Sequence, residues 1–484
     1  MTSIEKIVTE KGTILSGDLI AILTSGEKPI SNDAARQRLS RIKGDVFKLR
    51  GFFADRQILF YKREISGTEE FYSGIINALQ KAGKQYYTII QSLEFHYGQI
   101  KTEQLPAYSV NPIHHLTGHL SFTSALQNLI KLGIVNYNGE YVVLPRTLSE
   151  GSYNLMKSKG IEVAKNFLLI QFNSWSRKIG LVSYNSSKFH SEFGKYQFNF
   201  VAPSYIGSLT KRKPKSIVPA FVFADFLIGN KITEQQIEFF IKKIDVLKYL
   251  KNTPNFIPFL IVDEIELDAL NKLKANGVVI GFTNELFGDS YKDLLNSLIN
   301  LVTNAGAILK KNPDAYLDLM GKLNKLVDGK TNNLRGDLFE LAVGYYQGRI
   351  CKSIDIGKLI IHEGIRREID VFGTTPTSII ICECKGYNHL TSKGEVETWL
   401  GEKVPVIRRW IIDQSSYSEQ EIIFEFWSTG GYTDDARELL ATRKAETKKY
   451  KIDYFDLPSM IVKSNEIKSK KFTEILMEYY VKEI

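Results

Sequence analysis

The sequence predicts a multidomain α/β protein, and three observations predict it. At 484 residues the chain is long enough for about two to four well-buried cores. Its first third twice shows a helix followed by a short hairpin, and the remainder alternates strand-like runs with amphipathic helical ones. The composition, 43% hydrophobic and 24% charged, is that of an ordinary globular protein and excludes wholesale disorder or a fibrous repeat.

Residues 1–65 read as a small helical domain ending in a hairpin. Ser31-Asn32-Asp33 is a helix start, after which Ala35, Leu39 and Ile42 fall on one face. The remaining face carries Arg36, Arg38, Arg41 and Lys43. An apolar inner face with an arginine-rich outer face suits the second helix of a helix-turn-helix, and residues 52–62 are expected to supply a wing. The alternative is a basic face that is simply solvated. Residues 66–150 form a second unit of the same kind: a helix over Ser124–Leu132, a stop at Gly133, and two short strands joined by Asn138-Gly139. Asn-Gly between alternating strands is the strongest short hairpin signal, and helix followed by hairpin is the order of a winged helix. Lys131 is the only cation on this helix, so packing and base reading stand as equal alternatives. His114, His115 and His119 lie close together, but their sequence surroundings do not favour a metal site.

Residues 160–305 are expected to form an α/β domain with a partly parallel sheet. Ile179–Tyr184, Tyr196–Ala202, Ile217–Phe226, Phe256–Val262 and Val278–Phe282 read as strands; Thr233–Leu250 and Glu264–Ala275 read as helices. Thr210–Ser216 is the densest basic run, and as a flexible loop Lys211, Arg212 and Lys213 would either contact a phosphate backbone or be solvated.

The stretch that carries chemistry is 364–385. Ser378–Lys385 is rich in β-branched residues and bounded by Gly373/Pro376 and Gly386, so it reads as a central strand, paired by a hairpin with Ile369–Gly373. Side chains alternate, so Ile381, Glu383 and Lys385 share one face while Ile380, Cys382 and Cys384 share the other. The hairpin brings Asp370 beside Glu383. Two carboxylates forced together need a cation or a shared proton, and hard oxygen ligands of this kind suit Mg²⁺ or Mn²⁺. A lysine two residues on is placed to orient a water and to stabilise charge at phosphorus. A surface hairpin with ordinary charges is the bland reading, and the apolar flanks argue against it.

Asp370 followed by Glu383-Cys384-Lys385 at the end of a hydrophobic strand resembles the PD-(D/E)XK, or restriction-endonuclease-like, nuclease superfamily. Upstream, Gly336-Asp337-Leu338-Phe339-Glu340 resembles the Gly-x-x-Phe-Glu opening helix of its Mrr-like and junction-resolvase branches. Ile369 stands where the family more often has proline. The resemblance covers residues 331–460 of a domain taken as 331–484, and implies a metal-dependent endodeoxyribonuclease. Asp370 and Glu383 would ligate Mg²⁺ (or Mn²⁺), the Cys384 carbonyl and Glu340 would complete the shell, and Lys385 would position the attacking water. Winged-helix units joined to such a domain imply double-stranded DNA as partner, either a homodimer or a second passage for double-strand cleavage, and a bacterial restriction or anti-phage role, with partner defence subunits open. The alternative is a catalytically silent winged-helix DNA-binding protein or a regulatory subunit of a defence complex. The central domain, with Phe223-Ala224-Asp225-Phe226 where Glu383-Cys384-Lys385 stands, is expected to be a decayed copy of the same fold in which Asp225 is structural.

A net charge of +9 agrees with a polyanionic partner. The three cysteines, Cys351, Cys382 and Cys384, include no Cys-x-x-Cys pair and read as buried hydrophobes in a reducing cytoplasm. The N-terminus lacks an apolar signal region and no apolar run approaches the ~18 residues of a membrane span, so a cytoplasmic location is expected. Walker, Gly-x-Ser-x-Gly, His-Glu-x-x-His and EF-hand patterns are absent.

Overall fold

A computed structural model of the chain describes residues 3–26, 29–42, 44–149, 153–214, 216–327, 332–417 and 419–481. It divides into two compact units, Met1–Tyr153 with Gly180–Ile280, and Asn154–Ile179 with Gly281–Ile484. Among the described residues, no helix is long and apolar enough to cross a membrane.

The first unit opens with α1 (Ser3–Lys11), β1 (Thr13–Leu15), α2 (Ser16–Ser25), α3 (Asn32–Arg41), β2 (Val46–Leu49) and β3 (Leu59–Lys62). Helix α3 begins where expected because Ser31 holds extended backbone and its Oγ accepts the Ala34 N–H at 3.2 Å. Ala35 and Leu39 are buried with Ile4, Val8, Leu19 and Phe60. Of the segment expected to form a wing, Leu59–Lys62 is strand, and it pairs antiparallel with both β1 and β2. Next come α4 (Glu69–Ala82), α5 (Lys84–Phe95), β4 (Gln99–Lys101), α6 (Phe122–Lys131), β5 (Asn136–Tyr137) and β6 (Tyr141–Val143). Ser121 caps α6, and the predicted turn forms because Gly139 takes φ +92° while Asn138 Oδ1 accepts the Glu140 N–H at 3.0 Å. Strand β4 covers the other edge of β6, giving three strands in the order β4-β6-β5.

One expected strand is not there. Helix α7 (Leu155–Lys178) runs straight into Ile179–Tyr184, and the Ile179 N–H bonds back to the Trp175 carbonyl rather than to a ladder. The helix stops at Lys178 because Gly180 takes φ +71°, and the residues that follow are turn and bend rather than strand. This helix belongs to the second unit: its Gly160 lies so close to Ile299 that an added Cβ would come within 2.9 Å of the Ile299 carbonyl oxygen.

The central sheet is built from β7 (Lys188–Phe193), β8 (Tyr196–Ser204), β11 (Ala220–Ile232), β12 (Phe256–Ile265) and β13 (Val279–Phe282), in the spatial order β13-β12-β11-β8-β7. Helices α8 (Glu234–Tyr249) and α9 (Leu267–Ala275) connect the last three strands. Pairs β7/β8 and β8/β11 are antiparallel; β11/β12 is parallel. The core is aromatic, with Phe198 stacked on Phe223 at 4.0 Å and Phe240 and Phe256 around them; burying each such ring is worth about 2–3 kcal/mol. The basic run expected as a flexible loop is instead one side of a ribbon, β9 (Lys211–Lys213) paired antiparallel with β10 (Ser216–Val218). Pro219, between β10 and β11, has no N–H for a ladder and so splits what reads in sequence as one strand.

The second unit continues with α10 (Thr283–Phe287), α11 (Asp289–Thr303), α12 (Ala305–Lys311), α13 (Pro313–Val327) and α14 (Asn332–Ile350). Its sheet has five strands in sequential order: β14 (Ser353–His362), β15 (Ile365–Thr374), β16 (Ser378–Lys385), β17 (Glu421–Ser428) and β18 (Lys451–Asp456). The first two pairs are antiparallel and the last two parallel. Helices α15 (Lys393–Thr398), α16 (Val404–Ile412) and α17 (Asp434–Glu446) cover one face, and α18 (Leu457–Glu466) and α19 (Lys470–Tyr480) end the chain. The alternation along β16 holds: Ile379 and Ile381 pack with Val396, Trp399, Val404 and Ile407, while Cys382 meets Gln347 of α14 on the other face. Strand β14 adds an edge to this sheet, and it lacks the clean apolar alternation that would mark it in the sequence.

Candidate active site

The β15/β16 ladder ends at the pair Val371 and Cys382, and one step further the strands present Asp370 and Glu383. Both carboxylates are buried, at 8% and 4% exposure. The backbone N–H of Cys384 is satisfied by the Asp370 carboxylate, which accepts it through Oδ2 at 2.6 Å. The side chain thus takes a backbone donor where the register between the two strands ends, and this fixes the orientation of Asp370.

Two ammonium groups converge on Glu383. Lys385 reaches Oε1 at 2.8 Å from the same strand face. Lys403 reaches Oε1 at 2.7 Å and Oε2 at 2.8 Å. Lys403 closes a turn of π-helix, Trp399–Lys403, wedged between α15 and α16. Burial alone would raise the Glu383 carboxyl, but Lys403 and Lys385 outweigh it and hold the group below its ordinary range. Asp370 goes the other way: burial and then the Glu383 charge push it up to about 7, against the pull of the two lysines. Burial alone would lower both lysines, but the carboxylates outweigh it and hold them well above their usual value. Two like charges next to each other with their ionisations driven apart are the mark of a site that stores charge for a cation or a proton.

A second group of charges adjoins the first. Glu340 of α14 retains some surface, yet burial drives its carboxyl well above the ordinary range, against the pull of Lys159 and with Asp370, Asp337 and Glu368 adding to the rise. Lys159, on α7, is an ion-pair partner of Glu368 at 2.9 Å, and Glu368 lies two residues from Asp370 on β15. Two glycines make this possible. Gly357 on β14 (φ +69°) leaves room for Lys159, whose Cγ an added Cβ would meet at 3.1 Å. Gly386, just past Lys385, lets the start of α14 pass over the strand end; a Cβ there would come within 2.6 Å of the Arg335 carbonyl oxygen.

Among the described residues, no three His, Cys, Asp or Glu side chains stand together as a preformed metal cage. The donor set nevertheless fits a hard divalent ion that keeps several waters: two adjacent buried carboxylates, one of them carrying a raised pKa imposed partly by the other, with Glu340 close enough to feel the charge of Asp370. A thiol is a soft donor, so at Cys384 the carbonyl oxygen is the group suited to a hard ion.

The remaining predicted residues lie in the first unit. Arg36, Arg38 and Arg41 are exposed on α3, opposite buried Ala35 and Leu39, and Lys211, Arg212 and Lys213 are exposed along β9; Lys43 lies outside the described residues. His114 is paired with Glu192 at 3.0 Å on an exposed surface, a contact between residues far apart in sequence. Sequence reasoning missed Lys403, Lys159 and Glu368. For Glu368 a signal existed, since it sits two residues from Asp370; nothing in the chain marks Lys403 or Lys159.

On the opposite face of the same sheet, buried Glu425 accepts from Gln347 Nε2 at 2.6 Å and Trp427 Nε1 at 2.9 Å, and burial pushes its carboxyl up to about 7. In the central sheet, Asp225 of β11 is fully buried, pairs with Lys243 of α8 at 3.0 Å, and accepts both the backbone and side-chain N–H groups of Asn199 at 2.9 and 2.8 Å. Comparison of the whole chain with known proteins gives no match to a family model and no match to a curated protein.

Proposed function

We propose that the chain is a metal-dependent DNA endonuclease hydrolysing phosphodiester bonds, with a restriction or anti-phage role. The observation that carries the reading is the juxtaposition of Asp370 and Glu383 at the end of the β15/β16 ladder, with Lys385 at 2.8 Å from Glu383. A bound Mg²⁺ or Mn²⁺ supplies positive charge at the phosphoryl group. Asp370 and Glu383 would hold it, with the Cys384 carbonyl and Glu340 completing the set. Lys385, fixed on the central strand, orients a water for attack in line at phosphorus as the P–O3′ bond breaks, leaving a 5′-phosphate. Its ammonium also stabilises the charge that develops on the non-bridging oxygens.

Arg36, Arg38 and Arg41 on α3 and the basic ribbon β9 are the proposed contacts to duplex DNA. The element order α1, β1, α2, α3, β2, β3 supports reading residues 1–65 as a winged helix, and helix α6 with hairpin β5/β6 supports a second within 66–150. The shared strand order of the two five-stranded sheets supports reading the central one as a decayed copy of the nuclease-like domain. The test is plasmid cleavage in Mg²⁺. Wild type should nick or cut, whereas Asp370→Ala and Lys385→Ala should each lose roughly 10³-fold in rate, the order expected when a group stabilising the transition state is removed. DNA binding without cleavage by wild type would favour a silent DNA-binding protein instead.

A further inference from the structure

Lys403 belongs neither to the motif nor to the strand that carries it, yet it contacts both carboxylate oxygens of Glu383. A single ammonium lies 2.7 Å from Oε1 and 2.8 Å from Oε2, straddling the open edge of the carboxylate. Lys385 lies 2.8 Å from Oε1. An ammonium and a divalent cation seek the same lone pairs, and at such separations two cations repel by several kcal/mol near a protein surface, so they do not share that edge.

The two lysines differ in how they are held. Lys385 ends a central strand that pairs with β17 through Lys385 and Ser428 and with β15 as far as Cys382. Lys403 ends a turn of π-helix and is followed two residues later by Pro405, which has no N–H to bond back into the preceding turn. Turns of this kind carry an extra residue against the helical ladder and recur at functional sites. The Lys403 side chain also keeps 29% of its surface, so its four-carbon stem has a path to water.

We propose that Lys403 is a resident counter-ion that competes with the divalent cation for Glu383 and is released toward the mouth of the site when that cation binds. The inference rests on the metal-dependent reading above. It makes loading and substrate capture two uses of one charge: the ammonium that leaves Glu383 remains within a side chain's length of the site and is then available to a phosphodiester.

The test is binding of Mn²⁺ to the full chain without nucleic acid, followed by the electron paramagnetic resonance signal of free Mn²⁺, for wild type, Lys403→Met and Asp370→Asn. Lys403→Met should bind Mn²⁺ about tenfold more tightly than wild type, equivalent to about 1.4 kcal/mol, while Asp370→Asn should lose binding. If Lys403→Met binds at wild-type strength or more weakly while Asp370→Asn still abolishes binding, the counter-ion role is overturned and the metal reading stands. If neither wild type nor Lys403→Met binds Mn²⁺, both are overturned. A second measurement needs no substitution: acylation of lysines in wild type, read by mass spectrometry. Mg²⁺ should raise labelling of Lys403 severalfold and leave Lys385 unchanged; an unchanged Lys403 would overturn the proposal.

Discussion

The two five-stranded sheets solve the same problem in opposite ways. In both, the first two strand pairs are antiparallel and the third is parallel, and in both the second ladder stops one step before an acidic pair position. In the central sheet the ladder ends at Phe200 and Ala224, and the next residues are Asn199 and Asp225. In the C-terminal sheet it ends at Val371 and Cys382, and the next are Asp370 and Glu383. The third strand's acid is met in each case by a lysine from the following helical segment, Lys243 for Asp225 and Lys403 for Glu383. The difference is one amide. With Asn199 in place of a second carboxylate, Asp225 is answered in full by one lysine and two amide N–H groups, and the cluster is sealed. With Asp370 there is a second acid, which burial and then the Glu383 charge drive up to about 7, and two partly exposed lysines pair with Glu383. Leu227 occupies the central position equivalent to Lys385, two residues beyond the acid.

The largest effect expected from breaking this contrast lies in the central sheet. Lys243→Met strands a buried Asp225 and should lower stability by about 3–5 kcal/mol in denaturant titration, while the double variant Asp225→Leu/Lys243→Met should recover most of that loss. Cleavage per folded molecule should survive in the double variant; its loss would mean that the central cluster takes part in the chemistry.

Next is Glu425, on the far face of the C-terminal sheet. Its folded-state carboxyl is raised to about 7 by burial, from an ordinary 4.5. For an acid raised in this way the folded state binds the proton more tightly, so its relative stability is intact below about pH 4.5 and is lost as pH climbs toward 7. Glu425→Gln keeps an acceptor for Gln347 and Trp427 but never ionises. The variant should match wild type near pH 4 and exceed it by roughly 3 kcal/mol at pH 8, because each tenfold change in proton affinity is worth about 1.4 kcal/mol. Thermal melts across that range check it, and a pH-independent difference would refute the burial argument.

The smallest effect concerns Gly386, whose central equivalent is Ile228. Gly386→Ala places a methyl within 2.6 Å of the Arg335 carbonyl oxygen, and backbone cannot yield as a side chain does. A cost of about 1–3 kcal/mol is expected, with a fall in cleavage beyond the loss of folded protein as α14 and Glu340 are pushed from the strand end. Unchanged activity in the folded fraction would remove Glu340 from the site.

Much of this was legible in the chain. Strand β16 forms over Ser378–Lys385 as its β-branched run and flanking turn residues require, and Asp370 meets Glu383 because a short hairpin leaves little choice of register. Helices α3 and α6 start at serine caps readable as such. Two expectations failed for local reasons: Gly180 takes φ +71° just past the end of α7 and leaves Ile179–Tyr184 as turn and bend, and Lys211–Lys213 pairs with Ser216–Val218 as a ribbon.

Local pattern sets which face of β16 Glu383 takes and brings Asp370 beside it, because period-two alternation and a tight turn act over a few residues. Long-range packing, by contrast, brings Lys403 to Glu383 and Lys159 to the neighbouring Glu368. Lys403 reaches Glu383 from a π-helical turn 20 positions along the chain, and Lys159 reaches Glu368 from α7, far upstream. Helix packing sets both contacts, and no local pattern of residues records it.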